Sequence, residues 1–232
     1  MWGVIVDGDG ADVQLWHDSL CRPFDPWMEY RNSFGKQVSV VRSGQLDGAV
    51  DATQAYEIAQ GYISALNGAF LLEPGVLPLS IIGIGELDQN GQIKAIVSAS
   101  IAASLGRATV RATATTGSNA RPTPSGPQKL IDLASNNDLV ADLLSHRSRG
   151  ANWYDLYKTF EAVKELCKGG KDFAARSWYP GAQTISQFTQ TANRFRHFSK
   201  HSSQNGKLNA MSLEEANRLV GLMAKGALDD LT

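Results

Sequence analysis

The chain has 232 residues, of which 43% are hydrophobic and 19% charged; that is enough apolar content for packed cores, and it excludes global disorder. The formal net charge of -1 excludes a uniformly basic nucleic-acid binder. Charge is nonetheless uneven: residues 1–120 carry 7 Lys+Arg against 12 Asp+Glu, residues 121–232 carry 15 against 11, and residues 146–201 alone carry 10 against 4. The asymmetry suits either an anionic partner for the basic part or a contact between the two halves.

Taken in chain order, residues 2–6 (WGVIV) read as a short strand ended by the turn-rich DGDG, and Val13–Trp16 reads as a second strand. Cys21 and Cys167 are the two cysteines, one in each half. They form no disulfide framework and no Cys-x-x-Cys zinc spacing, so both are expected as free thiols. Residues 36–42 (KQVSVVR), between Gly35 and Gly44, are rich in β-branched residues and read as a strand. From Ala52 to Leu72 the period changes. Ala55, Ile58, Ala59, Tyr62, Ile63, Leu66 and Phe70 recur every three or four positions, which predicts an amphipathic helix capped by Asp51 and closed by Pro74-Gly75. LPLSIIGIGEL and IKAIVSASIAAS then read as strands joined at Asn90-Gly91, and RATVRATAT as a further strand. Gly83-x-Gly85 lacks a third glycine and precedes a hairpin turn, not a helix, so it fails as a dinucleotide fingerprint.

Residues 117–127 (GSNARPTPSGP) read as a linker, and the texture after them is helical. QKLIDLASNNDLVADLLSH is one helical stretch that Asn136-Asn137 can interrupt. Asn152 caps a second helix with a stripe of Trp153, Leu156, Tyr157, Phe160, Val163 and Cys167, ended by Gly169-Gly170. A third follows Pro180-Gly181, with Ile185, Phe188, Ala192 and Phe195 on one face. The last begins at the capping box Ser212-Leu-Glu-Glu215. The expected architecture is an α+β domain over residues 1–117, strands plus one long helix. A linker over 118–127 and an all-α four-helix up-and-down bundle over 128–232 complete it. The N-terminus lacks the pattern of a signal peptide and no apolar run approaches the length of a membrane span, so no membrane association and a cytoplasmic location are expected.

Of the four histidines, His17 is isolated and reads as structural or surface; His146, beside Arg147 and Arg149, suits the negative end of a helix dipole. His197 and His201 lie in a different setting, the run Asn193-Arg194-Phe195-Arg196-His197-Phe198-Ser199-Lys200-His201. Metal-free phosphodiester cleavage needs a group that titrates near neutrality, which histidine supplies. It also needs a fixed cation to hold phosphate, which a guanidinium does bidentately. A solvated basic helix end is the alternative. No ligand set for a metal is present, and no cofactor is expected.

Arg196-His197-x-x-x-His201 ahead of a final helix resembles the signature of the HEPN superfamily of helical-bundle ribonucleases and nucleotide-binding modules. The half also resembles an uncharacterised bacterial helical domain. The shared features are Trp153 to Lys158 with Glu161, Thr191 to Asn193, Arg196-His197, and Met211 to Ala216. The resemblance covers residues 128–232 and says nothing of the first half. It implies a metal-independent endoribonuclease of the toxin or phage-defence kind, working as a homodimer through the helical domain. Arg196 would hold the scissile phosphate, His201 would act as general acid or base, and His197 would assist orientation. Arg194 and Lys200 would attract the RNA backbone. The alternative is a non-catalytic protein- or nucleotide-binding module that uses the same basic domain.

Overall fold

The first six residues after Met1 set the architecture of the N-terminal half. In β1 (Trp2–Asp7), Val4, Ile5 and Val6 are all buried, the mark of a central strand covered on both faces. The structure, a computed structural model, describes residues 1–33, 35–88, 90–98, 122–196 and 210–232. The chain divides into two compact units, Met1–Asp132 and Leu133–Thr232.

In the first unit Asp9 accepts from the Ala11 amide at 2.9 Å and starts α1 (Gly10–Ser19). The expected strand Val13–Trp16 therefore lies inside a helix. Four alternating residues carry little period, and the spacing the core uses is Val13, Trp16 and Leu20, with the Trp16 ring stacked 4.7 Å from Phe70. Next come β2 (Trp27–Ser33) and β3 (Lys36–Arg42), a hairpin in register from Trp27↔Arg42 to Ser33↔Lys36 and turning at Gly35, φ +78°. The sequence predicts no strand at β2, because WMEYRNS lacks β-branched residues; its alternation still buries Met28 and turns Glu29 and Arg31 to the other face.

Ser43 caps the short α2 (Gly44–Asp47), and Asp51 caps α3 (Ala52–Phe70), whose apolar stripe from Ala55 to Phe70 is buried as its period predicts, Ile58 only in part. Asn67 on this helix brackets the backbone of Leu79, donating to its carbonyl and accepting from its amide, each at 2.8 Å. That pair orients the entry to β4 (Ser80–Leu87). Asp88 then accepts from the Asn90 and Gln92 amides at 2.8 Å and Gly91 takes φ +73°, returning the chain into β5 (Ile93–Ser98). The sheet order is β2-β3-β1-β4-β5 with every neighbour antiparallel, and β2 and β5 also touch, so the sheet curls. Gly83 and Gly85 lie inside β4.

Residues 122–125 are irregular and α4 runs Gly126–Ser135; the rest of the expected linker and the strand RATVRATAT lie outside the described residues. The first turns of α4 belong to the first unit. The Gln128 side chain donates to the Pro26 carbonyl at 2.6 Å and the Cys21 carbonyl at 2.9 Å, and Ile131 joins the core of Val6, Trp16 and Leu66.

In the second unit Asn137 caps α5 (Asp138–Ser148), breaking the helical stretch where the two asparagines fall. Asn152 caps α6 (Trp153–Leu166), which packs against α5 and against two further helices, α8 (Ala182–Arg196) and α9 (Leu213–Asp229). Gly169, φ +108°, turns the chain into a short α7 (Gly170–Ala174). Phe160 on α6 is 3% exposed and meets Phe188 of α8 edge-on at 5.4 Å; Leu143, Val163, Val220 and Met223 of the same unit are fully buried. Ser212 and Glu215 form the expected capping box of α9. All the regular structure described in this unit is helical, and among the described residues no helix is long and apolar enough to cross a membrane.

Candidate nucleic-acid interface

One end of the helical unit gathers the last turns of α5 and α8 and the first turns of α6 and α9. Three side-chain ties fix this. Phe195 in the last turn of α8 stacks on Trp153 in the first turn of α6, 5.2 Å between centroids and 8° between planes. Arg147 near the end of α5 donates from Nη1 to Asn217 Oδ1 of α9. Thr191 of α8, fully buried, accepts from the Met211 amide at 3.2 Å just before α9.

The amphipathic stripe of α8 explains what this end exposes. Phe188 and Ala192 are buried, but the next member of the stripe, Phe195, is 53% exposed with one face against Trp153. Trp153, expected in the core, is accordingly only half-buried. Asn193 and Arg194 are exposed beside it. Arg196 is the final residue of α8. His197, Lys200 and His201 lie outside the described residues, and with them the proposed meeting of Arg196 and His201. The structure thus brings Arg194 and Arg196 onto one helical turn.

A second constellation at this end was not legible in the sequence. His146 Nδ1 lies 2.7 Å from Oδ1 of Asp155, whose side chain is 8% exposed. Asn152, besides capping α6, donates from Nδ2 to Asp155 Oδ2 at 2.7 Å, and Arg149 Nη1 stands 3.4 Å from Oδ1. Burial pushes the Asp155 carboxyl up, but the hydrogen bonds from His146 and Asn152 and the charge of Arg149 outweigh it and hold the group below the ordinary carboxylate range. The sequence suggests a helix-dipole role for His146; the structure adds a carboxylate across the α5–α6 turn. The one signal available was Asn152 followed three residues later by Asp155, a cap that places an acid in the first turn. Tyr154, 53% exposed, presents its ring edge-on to His146 at 6.3 Å.

Arg147 is different in kind. It is 9% exposed, lies against Gly221, and burial lowers its pKa; it ties α5 to α9. His17, in the first unit, stacks on Tyr30 at 3.6 Å and its Nε2 is 3.2 Å from Ser39 Oγ, a structural placement in which burial lowers its pKa against the pull of Asp18. Cys21 and Cys167 are free thiols, the first exposed and the second buried. Among the described residues no group of three or more His, Cys, Asp or Glu side chains is placed to hold a metal ion.

The end of the unit therefore combines exposed cations (Arg149, Arg194), exposed aromatic surface (Tyr154, Phe195) and a histidine–carboxylate pair. Among the described residues, acids at this end include Asp155, engaged as described, and Glu214 and Glu215 in the first turn of α9. Cations beside open aromatic faces hold phosphates and stack bases. No family model, curated protein or solved structure matches this chain.

Proposed function

We propose that the helical unit binds RNA at this end and cleaves it without a metal ion. The observation that carries the reading is the last turn of α8. Arg194 is exposed there on the same turn as the half-exposed Phe195, and that ring is held in place by its stack on Trp153. A guanidinium next to a fixed aromatic face is the pairing that single-stranded nucleic acid uses for phosphate and base. In this reading Arg196 holds the scissile phosphate, His201 transfers the proton, His197 orients it, and Arg194 and Lys200 attract the backbone. The Arg-His-x-x-x-His resemblance to HEPN domains supports it. The same resemblance suggests a four-helix up-and-down bundle, a homodimer that pairs two such sites, and a cytoplasmic toxin or phage-defence role.

The test is cleavage of a mixed RNA by the purified chain with and without chelator. Activity should persist in chelator and be absent on RNA lacking 2′-hydroxyls. His201→Ala should lower it by roughly 10²-fold or more, the usual scale for a general acid–base group. Lys200→Ala should mainly weaken binding and flatten its salt dependence. Cleavage that survives both Arg196→Ala and His201→Ala places the chemistry elsewhere.

A second reading has its own support: Phe195 and Tyr154 are each 53% exposed, apolar surface that an acidic protein or a nucleotide could cover without chemistry. Under it, Arg194→Glu abolishes a salt-sensitive complex while His201→Ala leaves it intact.

A further inference from the structure

The His146–Asp155 pair has no place in the reading built on the end of α8, yet it has the geometry of a proton-transfer dyad. Both oxygens of the Asp155 carboxylate are occupied: Oδ1 by His146 Nδ1 at 2.7 Å with Arg149 at 3.4 Å, and Oδ2 by Asn152 at 2.7 Å. The Thr159 hydroxyl anchors the turn by donating to the Asp155 carbonyl at 2.8 Å. A carboxylate held from both sides fixes the ring that donates to it. An ionised Asp155 only accepts, so Nδ1 carries the proton, and in the neutral imidazole Nε2 presents a lone pair. Nε2 has no hydrogen-bond partner among the described residues, and the His146 side chain is 19% exposed. A tie between two helices would need the Nδ1 contact alone. The ring lies at the basic end of the unit, edge-on to the exposed ring of Tyr154 and sharing Asp155 Oδ1 with the exposed guanidinium of Arg149.

We propose that His146, oriented by Asp155, faces the RNA phosphodiester at this end of the helical unit and acts as the base that activates the 2′-hydroxyl, an inference that rests on the ribonuclease reading above. His146 Nε2 takes the 2′-hydroxyl proton as the 2′-oxygen bonds to phosphorus. The bond from phosphorus to the 5′-oxygen breaks, and that oxygen takes a proton from His201, the proton-transfer group of the ribonuclease reading, which solvent then restores. The products are a 2′,3′-cyclic phosphate and a 5′-hydroxyl, and the imidazolium returns its proton to solvent. Asp155 is the positioning residue and Arg149 adds a cation for the phosphate. Among the described residues, the titratable and charged groups that contact His146 or its carboxylate are Asp155 and Tyr154 of α6 and Arg149.

The experiment has two arms on the full chain. In the first, ring resonances of His146 are followed by NMR as cytidine 3′-monophosphate is added, with His17 as the internal control. The His146 ring should show the Nδ1–H tautomer and shift to saturation, while His17 does not move. In the second, cleavage of an oligoribonucleotide is measured from pH 5 to 8 for the wild type, His146→Gln and Asp155→Asn. His146→Gln should lose roughly 10²-fold or more in kcat together with the acid limb of the profile. Asp155→Asn keeps an acceptor at Oδ1, so it should stay folded, displace the acid limb and lose less rate. A His146 ring that does not respond to the nucleotide overturns the proposal. So does a His146→Gln chain with the wild-type rate and profile, and that result leaves the ribonuclease reading standing. A wild-type chain that cleaves no RNA removes the ribonuclease reading and the proton transfer with it, and the ring titration then decides alone whether His146 faces a phosphate.

Discussion

At the scale of single residues, Asp155 is where folding and the candidate site meet. Its carboxylate is buried and satisfied by three side chains, so Asp155→Ala leaves Asn152 and His146 short of an acceptor in a desolvated place. The expected loss is about 1–3 kcal/mol, read by denaturant unfolding. Asp155→Asn should cost less, because its carbonyl still accepts. The pH dependence follows from the direction of the shift. The folded-state pKa of Asp155 lies below its ordinary value of 3.8. Its contribution to stability is therefore complete above that value and is lost as pH falls through the folded pKa. Stability curves of the wild type and Asp155→Asn should converge as pH falls through the folded-state pKa, which lies below 3.8; a gap that persists at the acid end would mean the charge is not what stabilises the turn. None of this was legible beforehand. His146 and Asp155 sit nine residues apart on different helices, and no local period links such a pair. Arg194 and Arg196 were legible because one helix turn carries both.

Elements were legible in proportion to their length and caps. The stripes of α3, α6, α8 and α9 run for three turns or more, and Asp51, Asn152 and Ser212 mark their starts through side-chain bonds to the first turn. Short or polar elements failed the same test. Val13–Trp16 offered four residues to a strand reading and Asp9 decided for helix; β2 offered charge on one face and gained its place from pairing with β3. Two substitutions probe the packing of α6 and α9. Phe160 is 3% exposed and meets three other aromatic rings, those of Tyr157, Phe173 and Phe188. Phe160→Ala should cost about 3–5 kcal/mol; a loss below ~1 kcal/mol would contradict its burial. Gly226 on α9 is a closer contest. A Cβ there would collide with the Trp178 indole, whose Nε1 donates to Asp230 at 3.0 Å. Alanine gains about 1 kcal/mol of helix propensity, while overpacking costs about 1–3 kcal/mol. Because Trp178 is also held by Asp230, we expect Gly226→Ala to destabilise on balance. A Trp178→Ala background should reverse the sign, and both are read from thermal unfolding.

Across the whole molecule, composition and packing draw the division of the chain in different places. The proline-rich stretch drew the eye to a linker over 118–127, and helical texture assigned everything after it to the second part. The division by packing falls later, between Asp132 and Leu133, inside α4. Nothing in the local pattern of α4 says that Gln128 will satisfy the carbonyls of Cys21 and Pro26, or that Ile131 will be 5% exposed within the core formed by Val6, Trp16 and Leu66. Those contacts span about a hundred residues of sequence, and only the fold brings them together. The consequence is a sharp expectation for Ile131→Ala in the full chain. Removing a buried isoleucine leaves a cavity worth roughly 2–5 kcal/mol, and the loss should be confined to the unit that owns the cavity. Hydrogen exchange should therefore accelerate in β1, β4 and α3 while α6 and α8 keep the protection of the wild type. Gln128→Ala should act in the same place, since it strands the same carbonyls that the side chain now covers. Faster exchange in α6 and α8 instead, with β1 unchanged, would assign Ile131 to the helical unit and return the boundary to the proline-rich stretch.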